Sequence, residues 1–201
     1  MRKNNRSAAI ALLLTIVFCL VGCFGNETPN QVPLVLAEEN QFPIEAGTVD
    51  LVYLLGIGAW ATNLTIAQDG SLHGQYHDAD MGDIGNGYPN GTIYICNFTG
   101  NFRIVRQIND YSFVAALDAL VFDKPDRMWI EEGIRYITSE PSGLVCGEEF
   151  LFFTPDAPLD QMSDDFLFWW SLRYSDAANL NRLGVCALYN SELGSCFFPV
   201  Q

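Results

Sequence analysis

The sequence predicts an all-β domain: an antiparallel up-and-down barrel or curled meander of 8–9 strands with one short late helix. Three observations predict it. Apolar residues recur with period two almost everywhere after Gly56. Asp, Asn, Gly and Pro clusters punctuate those runs at short intervals. Only between Pro155 and Asn181 does the rhythm change. A two-sheet sandwich is the competing arrangement.

Taken in order, Trp60, Thr62, Leu64 and Ile66 share one face of a strand, and Asn63 and Thr65 take the other. Asp69-Gly70 supplies the positive φ angles of a tight hairpin, from which Leu72 to His77 returns. Thr92 to Phe98 alternates Ile93 and Ile95 against Tyr94, Cys96 and Phe98. Gly100-Asn101 is read as a turn into a strand bearing Phe102, Ile104, Arg106 and Ile108. Asn109-Asp110 turns into Tyr111 to Val121, with Tyr111, Phe113, Ala115 and Leu117 on one side, and Lys124-Pro125-Asp126 ends it. Met128 to Thr138 and Glu148 to Phe153 are further strands. Ser163 followed by Asp164 and Asp165 is an N-cap with acidic first-turn residues, opening a helix through Trp170. Val185 to Tyr189 and Cys196 to Val200 close the chain as a hairpin.

Ahead of this domain, Arg2, Lys3 and Arg6 precede an almost wholly apolar run from Ala8 to Val21. That is the charged and apolar pattern of an export leader, and it is shorter than the ~20 residues a spanning helix needs. Leu20-Val21-Gly22-Cys23 resembles the lipobox of bacterial lipoprotein precursors. The resemblance implies a signal peptide over residues 1–22, cut before Cys23, and acyl chains such as palmitate on that cysteine holding the chain to the cell membrane on its extracytoplasmic face. Each buried methylene contributes about 0.8 kcal/mol, so two or three chains make release slow. Residues 23–46 are polar and proline-punctuated, with Pro29, Pro33 and Pro43, and read as a lipidated N-terminus and flexible tether. Residues 47–201 are then one domain of about 155 residues.

The leader carries three of the ten basic residues and none of the 24 acidic ones, leaving 7 against 24 and a net charge of −17. Such a chain repels nucleic acid and anionic headgroups. Cys96, Cys146, Cys186 and Cys196 would face an oxidising compartment. Because Cys186 and Cys196 flank the turn-like Asn190 to Gly194, a cross-hairpin bridge between them is expected, leaving Cys96 with Cys146, whereas an anaerobic source would leave all four as thiols.

Two resemblances bear on the domain. Gly58-Ala59-Trp60, followed by a strand, an Asp-Gly hairpin and Gly74-Gln75-Tyr76, resembles the opening of calycin barrels, the lipocalin and avidin-like proteins. It implies a barrel with a ligand-binding interior. His77-Asp78-Ala79-Asp80-Met81-Gly82-Asp83 and Tyr88-Pro89-Asn90-Gly91-Thr92 resemble a family of uncharacterised surface lipoproteins from clostridia-like Firmicutes. That likeness implies a source and a location, and no activity.

Candidate sites are few. Asp78, Asp80, Asp83 and Asn86 crowd oxygen ligands between Gly82, Gly85 and Gly87, a candidate calcium loop. Its spacing is not an EF-hand's, and the plain alternative is a turn. Trp60 with Phe166, Trp169 and Trp170 forms a candidate ligand-binding set, since the last three share a helix face. Packing within the core is the competing use of these rings. His73 and His77 lie on one strand face about 13 Å apart, too far for one metal. No Gly-x-Ser-x-Gly elbow is present, and Glu131-Glu132 with Glu148-Glu149 is the one carboxylate pairing that suggests glycan hydrolysis. The expectation is therefore a non-enzymatic surface lipoprotein that binds a small ligand or presents loops to a partner. The alternatives are a calcium-stabilised adhesion or scaffold domain and an envelope glycan hydrolase.

Overall fold

Among the described residues ten strands join in one mostly antiparallel sheet that curls into a nearly closed barrel, with one α-helix on its outside. The structure, a computed structural model, describes residues 41–54, 60–123, 127–174 and 181–200. The described residues all fall in one compact unit, within Val35–Gln201. The leader, the lipobox and Cys23 accordingly lie outside the described residues.

The barrel wall runs β1 (Thr48–Tyr53), β2 (Trp60–Ala67), β3 (Ser71–Asp80), β4 (Thr92–Asn109), β5 (Ser112–Phe122), β8 (Glu149–Phe153), β9 (Ala187–Asn190) and β10 (Ser195–Phe197). Val52 and Phe198 exchange backbone hydrogen bonds of 2.7 and 3.1 Å, which brings the two ends of the sheet together. A short hairpin of β6 (Met128–Glu131) and β7 (Ile134–Thr138) adds to β4, with β7 parallel to it.

Alternation fills the interior. Leu51, Tyr53, Leu64, Ile66, Leu72, Tyr76, Phe98, Phe102, Leu117, Phe150, Phe152 and Phe197 form one buried cluster. Its rings meet edge to face, as Phe102 does with Phe150 at 5.3 Å, the geometry that ring quadrupoles favour. Phe42 and Ile44, in the segment read as tether, join the same cluster. Phe42 donates its N–H to Gln68 O and sets its ring against Phe102 and Phe152. The packed domain thus begins several residues before Gly47.

Three local readings change. Thr92 to Ile108 is one strand, not two joined by a turn at Gly100-Asn101. Gly100 serves close approach: a Cβ there would lie 2.3 Å from Ala119 O on β5. The register shifts between Asn101 and Phe102, so the turn signal marks a bulge. Met128 to Thr138 is two strands, because Glu132 and Gly133 take φ of 51° and 78° and form a two-residue hairpin loop. At Asp69-Gly70 only Gly70 has positive φ; the Asp69 carboxylate accepts from the Ser71 N–H and hydroxyl, which lowers its pKa.

The helix α1 (Asp164–Arg173) begins where expected: Ser163 Oγ accepts the Phe166 N–H at 3.3 Å. It packs on the outer side of the wall, where Phe166 and Trp170 join Phe153, Tyr189, Cys196 and Phe198 in a second cluster.

Candidate interaction site at the extended end of the barrel

β4 is 18 residues long, and β5 pairs only with its second half, Phe98 onward. The edge of Thr92–Ile95 is left for β7, so β3, β4, β7 and β6 extend as a leaf past β5, with β2 alongside as far as Asp78. One guanidinium ties this leaf together. Arg135 forms an ion pair with Asp83, donates to Tyr88 Oη at 3.0 Å and to Thr92 Oγ1 at 3.1 Å, and lies 4.3 Å over the Tyr88 ring. Thr92 Oγ1 in turn donates to Asp83 O at 2.9 Å.

That geometry gives the aspartate loop a structural use. Asp80 Oδ1 accepts the N–H groups of Gly82 and Asp83, and the Asp83 carboxylate faces Arg135. Among the described residues no group of three or more His, Cys, Asp and Glu side chains is placed to hold a metal ion. Asp78 and Asn86 make no hydrogen bond to these groups.

Around the fastened loop lies exposed apolar surface. Met81 (65 % exposed), Ile84 (59 %), Met128 (67 %) and Ile130 (48 %) occupy the β3–β4 loop and β6. A Cβ on Gly87 would lie 3.7 Å from the Ile130 side chain, so loop and hairpin adjoin. On the other face Trp129 and Tyr136 stack at 5.0 Å, with the Arg127 guanidinium 5.8 Å over Trp129. None of Arg127, Met128, Trp129, Ile130, Arg135 and Tyr136 stands out in the sequence. The signal available was Gly133 inside an alternating run.

The interior at this end is occupied by the chain itself. The segment between β7 and β8 crosses the mouth: Ser139 N–H donates to Ile95 O, and Gly147 N–H to Leu117 O. Between them the inward hydroxyls of Thr62 and Ser195 donate to Ser142 O at 2.7 Å and to Gly143 O at 3.0 Å. Leu144 enters the lumen cluster. Gly143 has φ +83°, and a Cβ on it would meet the Tyr53 ring at 2.6 Å.

The four aromatic candidates divide. Trp60 packs on the lumen cluster, with its ring 5.0 Å from Tyr53, which also meets Trp169 at 6.4 Å. Phe166 and Trp170 belong to the outer cluster and do not plug the barrel. Phe166 lines a cleft of about 390 Å³ between the start of α1 and the outer wall, with Tyr111, Met162 and Tyr189. Another shallow groove, about 420 Å³, lies over β2–β4, where Asn63, Gln75 and Asn97 stand side by side with His73 and Asp123 nearby.

All four described cysteines are free thiols, which corrects both expected bridges. Cys196 pairs in register with Tyr189, three positions from Cys186. That odd offset sends the two thiols to opposite faces, Cys186 against the lumen cluster and Cys196 into the outer one. Cys96 is buried inside the wall, whereas Cys146 is exposed, its Sγ 3.4 Å from Asp118 O. Burial pushes the Cys96 and Cys186 thiols up to about 11 and raises Cys196 as well, so none of these three is an activated nucleophile.

The glutamate pairs are separated. Glu132 O accepts from Asn90, beside the start of β4, while Glu148 O accepts from Leu117, which pairs with Phe102. From Thr92 to Phe102 along β4 is roughly 30 Å at ~3.3 Å per residue. Glycoside cleavage needs its two carboxyl groups within about 5–10 Å.

No protein-family model, curated protein or solved structure matches the chain. Among the described residues no helix is long and apolar enough to cross a membrane.

Proposed function

We propose that the chain is an exported lipoprotein, anchored through Cys23 on the extracytoplasmic face of the cell membrane, whose β-domain is a non-enzymatic interaction module working through the leaf of β3, β4, β7 and β6. The leader and lipobox support the location. The observation that carries the mode of action is the filled lumen: Phe42 and Ile44 pack into the core from the N-terminal segment, and the Pro141–Leu144 segment crosses the opposite mouth. A lipocalin-like role in which a ligand sits inside the barrel draws no support from that arrangement. Exposed Met81, Ile84, Met128 and Ile130 beside aromatic Trp129 and Tyr136 favour a protein partner.

A small ligand held outside the barrel is the second reading, favoured by the row of Asn63, Gln75 and Asn97. Among the described residues these three carboxamides find no hydrogen-bond partner.

Two experiments test the proposal. Cys23→Ser in the full chain is expected to block maturation and acyl labelling and to release the protein from sedimenting membranes; a variant still processed and sedimenting refutes the anchor. A photo-crosslinking residue at Met128 is expected to trap a protein adduct at the cell surface. If adducts form from Arg106, on the exposed part of β4, and never from position 128, the leaf is not the working surface.

A further inference from the structure

We infer that β6 is a self-complementary edge through which two copies of this chain pair as antiparallel strands. The inference rests on the interaction reading above and names the partner.

Thr138 N–H donates to Arg127 O, so the polar backbone groups of Arg127 face β7. In an antiparallel ladder this orientation repeats every second residue, and the register carries it to Trp129, opposite Tyr136, and Glu131, opposite Ile134. Met128 and Ile130 therefore turn their N–H and C=O groups to the other edge. Among the described residues β6 pairs with β7 alone. Natural edges are usually blunted by shortness, charge, proline or a bulge. β6 is short and ends on Glu131, but it carries no lysine, proline or bulge, and the side chains of its outward-bonding residues are exposed and apolar.

Backbone parity permits only even registers between two such edges. One of these sets Trp129 opposite Trp129 of a second copy across a two-fold axis. Met128 then faces Ile130 of the second copy and Ile130 faces Met128, each exchanging two backbone hydrogen bonds. Arg127 faces Glu131 of the second copy, and Glu131 faces Arg127. The tryptophans form the closer, non-hydrogen-bonded pair, where aromatic cross-strand contacts contribute most. Sliding by two residues either way loses both charge pairs: Arg127 meets the hairpin turn or a tryptophan. This charge match is the reason to assign the edge to a copy of the chain and not to an arbitrary extended peptide. A contact of one short strand is small, so the pair is weak in free solution. Anchoring both copies to one surface raises their effective concentration without a new contact.

The test uses the full-length chain, in cells and purified in detergent. Trp129→Cys in a Cys146→Ser background places two thiols face to face, within disulfide reach on the two-fold axis. Mild oxidation is expected to give a disulfide-linked dimer, and Arg106→Cys in the same background is not. Arg127→Glu and Glu131→Arg should each reduce the dimer about tenfold by turning two attractive pairs repulsive. The double variant should restore it. A chain that gives no dimer from position 129, or a dimer indifferent to both charge reversals, overturns the inference. If position 128 still traps a different protein in that case, only this inference falls; if it traps nothing, the interaction reading falls too.

Discussion

Leu144→Ala tests whether the segment between β7 and β8 is part of the barrel's core or merely lies over it. Leu144 is 3 % exposed and packs in the same cluster as Leu51, Phe98 and Phe197. Truncating a buried leucine removes its transfer energy and leaves a cavity, about 2–5 kcal/mol together. That is about a third of the total stability of a domain of this size, since ~5–15 kcal/mol is usual. At ~2–4 °C per kcal/mol, the midpoint of thermal unfolding should fall by roughly 4–20 °C. Thr62→Val keeps the shape and leaves Ser142 O without its donor, a loss of about 1–3 kcal/mol. Val145→Ala, at an exposed neighbouring position, should change stability by less than about 0.5 kcal/mol. Urea unfolding followed by tryptophan fluorescence reads all three, with the slope against denaturant unchanged if only the native packing is altered. If Leu144→Ala costs no more than Val145→Ala, the segment does not cap the lumen and the argument for a filled barrel fails.

Buried Cys96 and half-buried Cys186, raised by desolvation from 9.0 to about 11, favour the protonated thiol in the folded state, so their contribution is complete below pH 9 and is lost as pH rises towards 11. Alkaline melts should show that decline, and Cys96→Ala with Cys186→Ala should lessen it, leaving the part that Cys196 and the tyrosines raised by burial contribute. With the protein native and reduced, a thiol reagent should modify exposed Cys146 quickly and Cys96 and Cys196 only on unfolding; equal rates would contradict their burial. Arg135→Met should cost about 1–2 kcal/mol, discounted for partial exposure of the ion pair, and should speed amide exchange across residues 81–91 while leaving β1 and β2 protected. Titration calorimetry with calcium should give no heat, since Asp83 faces Arg135 and Asp80 caps its own turn; a calcium-dependent rise in melting temperature would reverse that reading.

Period-two alternation made the wall legible because each strand buries one face, and Ser163 marked the helix because a cap needs only local chemistry. Other features depended on what the residues meet across space. Gly100 looks like a turn in sequence and is instead a strand glycine under the Ala119 carbonyl. Gly133 was hidden inside an alternating run, although a two-residue loop preserves alternation on both sides of it. The cysteine bridge failed on parity: closeness across a hairpin requires matching faces, and those depend on the register at Asn190 and Ser195. Arg135 could not be singled out because Asp83, Tyr88 and Thr92 reach it only after β7 docks parallel to β4.

The two inward hydroxyls bear most directly on where function resides. In a barrel built to hold a ligand, a few polar groups pointing into an apolar lumen fix the ligand's orientation. Thr62 and Ser195 stand in such positions, fully buried among aromatic and aliphatic side chains. Left unpaired, each would carry the cost of an unsatisfied buried hydroxyl. Both instead donate to carbonyls of one strap, Ser142 and Gly143, and Gly143 lies so close to Tyr53 that only glycine fits. These two hydroxyls are thus consumed in holding the chain, which supports the proposal that recognition uses surfaces outside the wall. Among these, the leaf combines exposed apolar side chains, an open strand edge and a guanidinium that fixes its loop.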